Sequence, residues 1–186
     1  MKKNIRKKLL NKRRKKYLEI SLNQIFNIFQ LIKKKYKNAK IIGGYIPINY
    51  EYDCLSILKY LENKNYTIAL PVIKNNFKMN FYKYSFKDPL KINKFGIPEP
   101  FISSKKIEPD LIFVPLVGYD NHLNRLGYGG GFYDRYFEKN HKSKKIHKIG
   151  LAFSFQKIKK LPVNKFDKKL NGIITEKAIN VWEFYF

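Results

Sequence analysis

Acidic residues are scarce in this chain. Only 14 Asp and Glu stand against 39 Lys and Arg, a formal net charge of +25 over 186 residues. Cysteine occurs once, at Cys54, which excludes an internal disulfide and any cysteine-based metal cluster and fits a reducing cytoplasm. Cys54 itself reads as a small buried hydrophobe. Long uncharged apolar runs are missing, so no membrane-spanning segment is expected. The basic N-terminal stretch has neither a following apolar segment nor a small-residue cleavage site, so no secretory leader is expected. Glycine is sparse too, yet four of the ten glycines fall within five positions, Gly127, Gly129, Gly130 and Gly131. Such a cluster raises the entropic cost of folding, so it marks unusual backbone angles or a close approach to something.

A hydrophobic content of 44% with 16% aromatics is ample for burial, and the length suits one domain spanning 1–186. The abundant Lys, Asn, Ile, Tyr and Phe share A/T-rich codons, and the lysines are scattered over every segment. The charge is therefore read first as composition and only second as a footprint for polyanions. The exception is the first sixteen residues, with ten basic groups and no acid.

The spacing of apolar residues predicts alternating elements. A basic helix is expected over 2–17. Ser21 with Gln24 forms a capping box for a second helix, with Leu22, Ile25, Phe26, Phe29 and Ile32 on one face. A short strand follows at 41–47, then a helix over 53–64 with Leu55, Leu58 and Leu61 inward, and strands at 66–73 and 78–85. The three prolines and one glycine of 87–100 predict a long loop. The most apolar run, 110–118, is the expected central strand. A helix to about Asn140, a strand at 148–154 and a last one at 172–175 complete the order. Uniformly apolar strands separated by helices predict an α/β fold, a three-layer αβα domain with a mostly parallel central sheet and Rossmann-like open topology.

The glycine cluster thus follows the carboxyl end of the central strand and opens a helix, the edge where open α/β sheets bind ligands. Backbone N–H groups and the helix dipole make such a turn an anion site. No Gly-Lys-Ser/Thr follows, so it is not a Walker A loop, and no acid about twenty residues on completes a dinucleotide fingerprint. His122, His141 and His147 are isolated in polar stretches and none reads as catalytic.

The full string "VPLVGYDNHLNRLGYGGGFYDRYF" resembles the motif of the 5-formyltetrahydrofolate cyclo-ligase family, also called methenyltetrahydrofolate synthetases. "KKNIR", "GGYIPINYEYD", "LPVI", "KMNFY", "NKFGIPEP", "GLAFSFQ" and "LPVNKFD" follow in that family's order, so the resemblance covers nearly the whole chain. Two departures stand out. Asn121-His122 replaces a glycine-containing turn, and Phe132 replaces the first tyrosine of a tyrosine pair.

The resemblance implies an ATP- and Mg²⁺-dependent ligase acting on a folate, in the cytoplasm. It implies nucleotide contacts from Lys2, Lys3, Asn4, Ile5 and Arg6, with Lys2 and Arg6 on one helix face. Further nucleotide contacts would come from Arg125, Leu126 and Gly127, then Tyr128, Gly129 and Gly130, and finally Gly131, Phe132 and Tyr133. Arg125 and Tyr133 are the implied catalytic residues; Arg125 has a planar fork suited to phosphate. Folate contacts would come from Ile46, Glu51, Tyr128 and Phe132. Asp134 and Asp167 are the implied Mg²⁺ carboxylates, few enough to suit an ion that keeps waters and phosphates as its other ligands.

Two other readings stand beside this one: a basic nucleic-acid-binding protein using the N-terminal helix, and a non-catalytic phosphate- or nucleotide-binding domain on the same fold. No specific nucleic acid and no membrane are expected as partners. Any nucleic-acid binding should be weak, without sequence preference, and lost as salt is raised, because counterion release drives it. Titrating labelled DNA and RNA at 50 and 200 mM salt checks this; tight sequence-selective binding at the higher salt would contradict it.

Overall fold

The strand β6 (Leu111–Pro115) anchors the sheet because both of its faces are covered. Leu111 and Phe113 point into one core cluster and Ile112 and Val114 into the other, all fully buried. That two-sided burial explains why the run has no polar alternation. The structure, a computed structural model, describes residues 1–74, 78–140 and 145–181. His141 lies outside them.

Seven strands make the main sheet: β1 (Ile41–Gly43), β2 (Thr67–Ile73), β3 (Met79–Tyr84), β6, β9 (His147–Leu151), β10 (Gly172–Ile174) and β11 (Ile179–Val181). Their order is β11-β10-β9-β6-β1-β2-β3. The five central strands run parallel, while β3 and β11 pair antiparallel at the two edges. On one face lie α2 (Leu22–Lys35) and α3 (Cys54–Glu62), which bury Ile25, Ile28 and Ile32 and then Ile57, Leu58 and Leu61. On the other lies α4 (Phe132–Asn140), packing Tyr136 and Phe137 against Phe81 and Val114. The predicted αβα layering and mostly parallel sheet are therefore present. The chain leaves β1 toward β2 on one side, while β6 pairs with β1 on the other. A crevice opens where the strand order reverses, at the carboxyl ends of β1 and β6.

Local details differ from the sequence reading for identifiable reasons. The first helix, α1 (Lys2–Lys15), stops two residues short of the expected end. In α2 the capping box forms as read, with Ser21 and Gln24 exchanging hydrogen bonds. Its inward stripe, however, takes Ile28 and leaves Leu22 and Phe26 exposed. In α3 Leu55 is only half-buried and Ile57 is in the core. The stretch 87–100 is no plain loop: β4 (Leu90–Ile92) and β5 (Pro98–Pro100) pair as a two-stranded hairpin. Proline signals a break in sequence, yet a two-stranded ribbon is all edge and tolerates residues that donate nothing. The Asn93 Oδ1 holds the hairpin turn by accepting from Phe95 N and Ile97 N, and Gly96 sits at φ +74°.

The strand expected at 41–47 ends at Gly43, and the one expected at 148–154 starts a residue early and gives way to a 3-10 turn over Ser154–Gln156. A small hairpin of β7 (Gly118–Tyr119) and β8 (Arg125–Leu126) carries the chain from β6 to the glycine cluster. His147 is not isolated: it starts β9, with its ring centroid 4.5 Å from that of Tyr36.

The connection 120–124 makes its turn without glycine. Asp120 is almost fully buried and accepts from His122 N, Asn124 N, Asn124 Nδ2 and Leu161 N. Burial opposes its charge, but these hydrogen bonds outweigh burial and hold the carboxyl below its usual range. The turn's left-handed residue is Leu123, at φ 61°. A side chain there costs roughly 1–2 kcal/mol against glycine. Leu123 recovers part of that by burying itself in the α4-side core. No helix among the described residues is long and apolar enough to cross a membrane.

Candidate active site

A cleft of about 910 Å³ occupies the crevice. One wall is apolar: Ile46, Ile48, Leu70, Ile73, Met79 and Ile97 line it. Phe95 and Phe132 meet there edge to face with centroids 6.1 Å apart. The opposite wall is the glycine cluster with Lys2, Arg6, Arg125, Asp134, Asp167 and Lys168 around it. The cleft thus joins a surface for a flat apolar ring system to a cationic, N–H-rich end.

The glycines are there for stated reasons. Gly129 has φ +111° and Gly131 φ +64°, angles that disfavour any side chain. A Cβ on Gly129 would only touch the Arg6 guanidinium, at 3.5 Å, so the angle is the constraint there, whereas one on Gly131 would come within 2.8 Å of the Arg135 Nη1. Gly130 has no such angle, but a Cβ there would meet the Phe132 ring at 2.7 Å. Arg135 in turn donates to Gly130 O, bracing the loop from the start of α4.

Of the residues implied as ligand contacts, the cleft brings together Lys2, Arg6, Ile46 and Glu51 with Arg125 to Asp134 and with Asp167. Lys3, Asn4 and Ile5 do not line it: Lys3 and Asn4 face solvent, and Ile5 is half-buried on another face of α1. A contiguous five-residue motif on a helix presents only its i and i+4 members to one side.

The charged residues are already engaged with one another. Arg125, with its side chain 6% exposed, donates from Nη2 to Asp134 Oδ1 at 2.9 Å and from Nη1 to Lys168 O at 2.7 Å. What it offers a ligand is mainly its charge, since both arms of its fork hold the loop. Arg6 is the better fork: its Nε donates to Gly127 O at 2.7 Å, and its Nη groups have no acceptor among the described residues. Asp134 Oδ1 accepts from Lys168 N as well, and Asp167 Oδ2 accepts from Lys2 Nζ at 2.7 Å and from Asn164 N. Each of these two carboxylates keeps its other oxygen without a protein partner among the described residues. No group of three or more metal-ligating side chains occurs among the described residues. Two separate carboxylates with one open oxygen each suit a cation whose remaining ligands are water and phosphate.

Glu51 stands apart. It is 4% exposed; Oε2 accepts from Ile48 N at 2.9 Å, while Oε1 is buried against the cleft with no partner. Burial pushes its carboxyl up to about 7, opposed by the Ile48 N–H, the charge of Arg13 and the Tyr128 hydroxyl. Tyr133 is driven well above an ordinary phenol by burial, with Cys54 and Glu51 adding to it and Arg125 opposing, so its hydroxyl keeps its proton near neutral pH.

Arg13 was missed by the sequence reading. It is 1% exposed and reaches Tyr128 from behind the cleft wall. The signal was present as spacing: Lys2, Arg6, Leu9 and Arg13 recur at helical intervals, so the ten-cation segment has an inward face. Phe95 and Ile97 were missed because the hairpin that presents them was read as loop.

The chain matches the model of the 5-formyltetrahydrofolate cyclo-ligase family over residues 1–176. It is 35% identical over 144 residues to a 5-formyltetrahydrofolate cyclo-ligase of Haemophilus influenzae, covering 74% of this chain and 76% of that one. The NMR structure of 5,10-methenyltetrahydrofolate synthetase from Aquifex aeolicus superposes with a TM-score of 0.75 at 30% identity, over 97% of this chain and 92% of the other. A 5,10-methenyltetrahydrofolate synthetase from Mycoplasma pneumoniae gives a TM-score of 0.68 at 25% identity, over 94% and 98% of the two chains.

The state of Glu51 has a consequence for stability. With a folded value of about 7 against 4.5 when unfolded, the folded chain holds this proton more tightly. Its contribution to stability therefore declines as pH rises from 4.5 to 7 and stays low above. Glu51→Gln cannot titrate, so its stability relative to wild type should improve between pH 5 and pH 8, by on the order of 3 kcal/mol. Denaturant melts at the two pH values check this; a difference independent of pH would contradict it.

Proposed function

Because the chain belongs to the 5-formyltetrahydrofolate cyclo-ligase family and so is a ligase, we propose that it closes 5-formyltetrahydrofolate to 5,10-methenyltetrahydrofolate at the expense of ATP, releasing ADP and phosphate. The observation that carries this reading is the two-ended cleft. One oxygen of the buried Glu51 carboxyl lacks a partner among apolar lining residues, and the Arg6 Nη groups lie beside the glycine loop without an acceptor among the described residues.

A formamide oxygen is a poor leaving group, and phosphorylation changes that. In the proposed reaction the formyl oxygen attacks the γ-phosphorus, an O–P bond forms, and the bond from γ-phosphorus to the bridging oxygen breaks to give ADP. N10 then attacks the formyl carbon, its proton is lost, and the carbon–oxygen bond breaks with phosphate departing. Such transfer asks the protein for position and neutralising charge more than for covalent help. Arg6, Lys2 and the loop N–H groups supply both at the phosphate end, and the Arg125 charge lies beneath the loop. The apolar wall with Phe95 and Phe132 takes the pterin ring, and Glu51 accepts from its N–H groups. Asp134 and Asp167 would hold magnesium, which when bound neutralises charge on the transferring phosphoryl group. Asp167 would do so through Oδ1, the oxygen that Lys2 and Asn164 N leave open.

The methenyl product absorbs in the near ultraviolet, so its growth with 5-formyltetrahydrofolate, ATP and Mg²⁺ tests the reaction. Asp134→Asn should lower turnover by roughly two orders of magnitude, as when a developing charge loses its electrostatic partner. If the lost charge acts on the metal, excess Mg²⁺ restores part of the rate. No restoration at any Mg²⁺ concentration would reassign Asp134 to anchoring Arg125 alone.

A further inference from the structure

We propose that Arg13 is a positioning residue for the candidate active site, fastening the turn that carries Glu51 to the glycine loop from outside the cleft. The inference rests on the proposed reaction for its kinetic part only. Three acceptors on three segments meet this one buried guanidinium. Nε donates to Asn49 O at 2.9 Å, Nη1 to Leu116 O at 3.2 Å and Nη2 to the Tyr128 hydroxyl. Asn49 belongs to the turn before Glu51, Leu116 follows β6, and Tyr128 stands in the glycine loop. The guanidinium carbon also lies 5.7 Å from the Tyr128 ring centroid.

The turn needs such a fastening. Asn49 and Tyr50 are consecutive left-handed residues, at φ 49° and 61°, and neither is glycine. Two adjacent side chains in that region persist only where surroundings impose them. The bonds that close the turn are Glu51 N to Ile48 O, Ile48 N to Glu51 Oε2, and Arg13 to Asn49 O. Only the last comes from outside the turn. Arg13 is thus the external member of the bonds that close the turn, while the Tyr45 hydroxyl, donating to Tyr52 O at 2.9 Å, holds the chain just after Glu51.

The same group supplies the cationic balance for Glu51. Around the Glu51 carboxyl stand Arg13 from α1, Tyr45 after β1, Cys54 of α3, Tyr128 of the loop and Tyr133 of α4. Arg13 alone among these carries positive charge. Because Arg13 donates to the Tyr128 oxygen, the Tyr128 proton is directed away from it. That makes Tyr128 a donor toward Glu51 or a ligand, with its hydroxyl pushed up to about 12 by burial and by the Glu51 charge.

Arg13→Met keeps much of the volume and removes the charge and all donors, whereas Arg13→Lys keeps the charge and loses the fork. The Glu51 carboxyl can be followed by carbon-13 NMR without any substrate. In Arg13→Met its midpoint should rise, and the folate KM should increase about tenfold with kcat changed less, as fits one lost charge-assisted hydrogen bond. In Arg13→Lys the midpoint should stay near wild type while the KM still rises. Tyr128→Phe should raise the KM by less in Arg13→Lys than in the wild-type chain, because the strut between the two residues is removed only once.

Unchanged Glu51 midpoint and KM in a folded Arg13→Met chain, with only a lower melting temperature, would overturn the proposal. So would additive effects of Arg13→Lys and Tyr128→Phe, which remain measurable if Arg13→Met does not fold. A wild-type chain inert toward 5-formyltetrahydrofolate would overturn the proposed reaction instead, leaving the NMR titration as the test of Arg13.

Discussion

The docking of the inner face of α1 onto the carboxyl edge of the sheet is the interaction on which the rest of the site depends. A 14-residue helix this cationic has many like charges at i, i+4 spacing and no acid in its first turn, so it has little reason to form alone. What holds it is a row of inward contacts. Lys2 pairs with Asp167, Arg6 donates to Gly127 O, Leu9 packs onto Gly118 and Arg13 takes its three acceptors. Gly118 permits the approach: a Cβ there would fall 2.6 Å from Leu9 Cδ1. Placed so, α1 closes one side of the cleft that β1 and β6 open, and chain segments more than a hundred residues apart become one wall.

Charge balance gives that wall its character. Arg125 with Asp134 and Lys2 with Asp167 are matched pairs, partly withdrawn from water, whose net worth to stability is small beside the cost of leaving one member alone. Their value to the proposed reaction lies in arrangement: cations and open carboxylate oxygens already in place would need little reorganisation when a ligand arrives. Glu51 is the exception, half satisfied and buried, and it costs stability at neutral pH. A polar group kept in that state suits the proposed contact with a substrate N–H.

Much of this was legible in the sequence. The two-sided burial of β6, the capping box at Ser21 and Gln24, and the glycine loop at the sheet's carboxyl edge follow from local patterns that the tertiary structure does not overrule. The resemblance to a known family located Lys2, Arg6, Glu51, Arg125, Asp134 and Asp167, all of which line the cleft. The remainder depended on contacts between distant segments. Arg13 was hidden among ten cations because composition averages over the faces of a helix. The β4–β5 hairpin was hidden because proline signals a break whether or not a ribbon with two free edges can absorb it. Leu123 and Tyr50 adopt left-handed angles that no residue preference announces, unlike Asn49, whose type favours them; the Asp120 hydrogen bonds and Arg13 hold these turns.

In the proposed reaction the cleft activates the formyl oxygen by moving phosphate onto it. The most direct measurement uses 5-formyltetrahydrofolate labelled with oxygen-18 at the formyl group, in ordinary water with ATP and Mg²⁺. Mass spectrometry of the released inorganic phosphate should find one labelled oxygen per methenyl product formed. Phosphate free of label, with the oxygen-18 recovered in water, would mean that ring closure expels hydroxide and that the phosphoryl group never reaches the substrate.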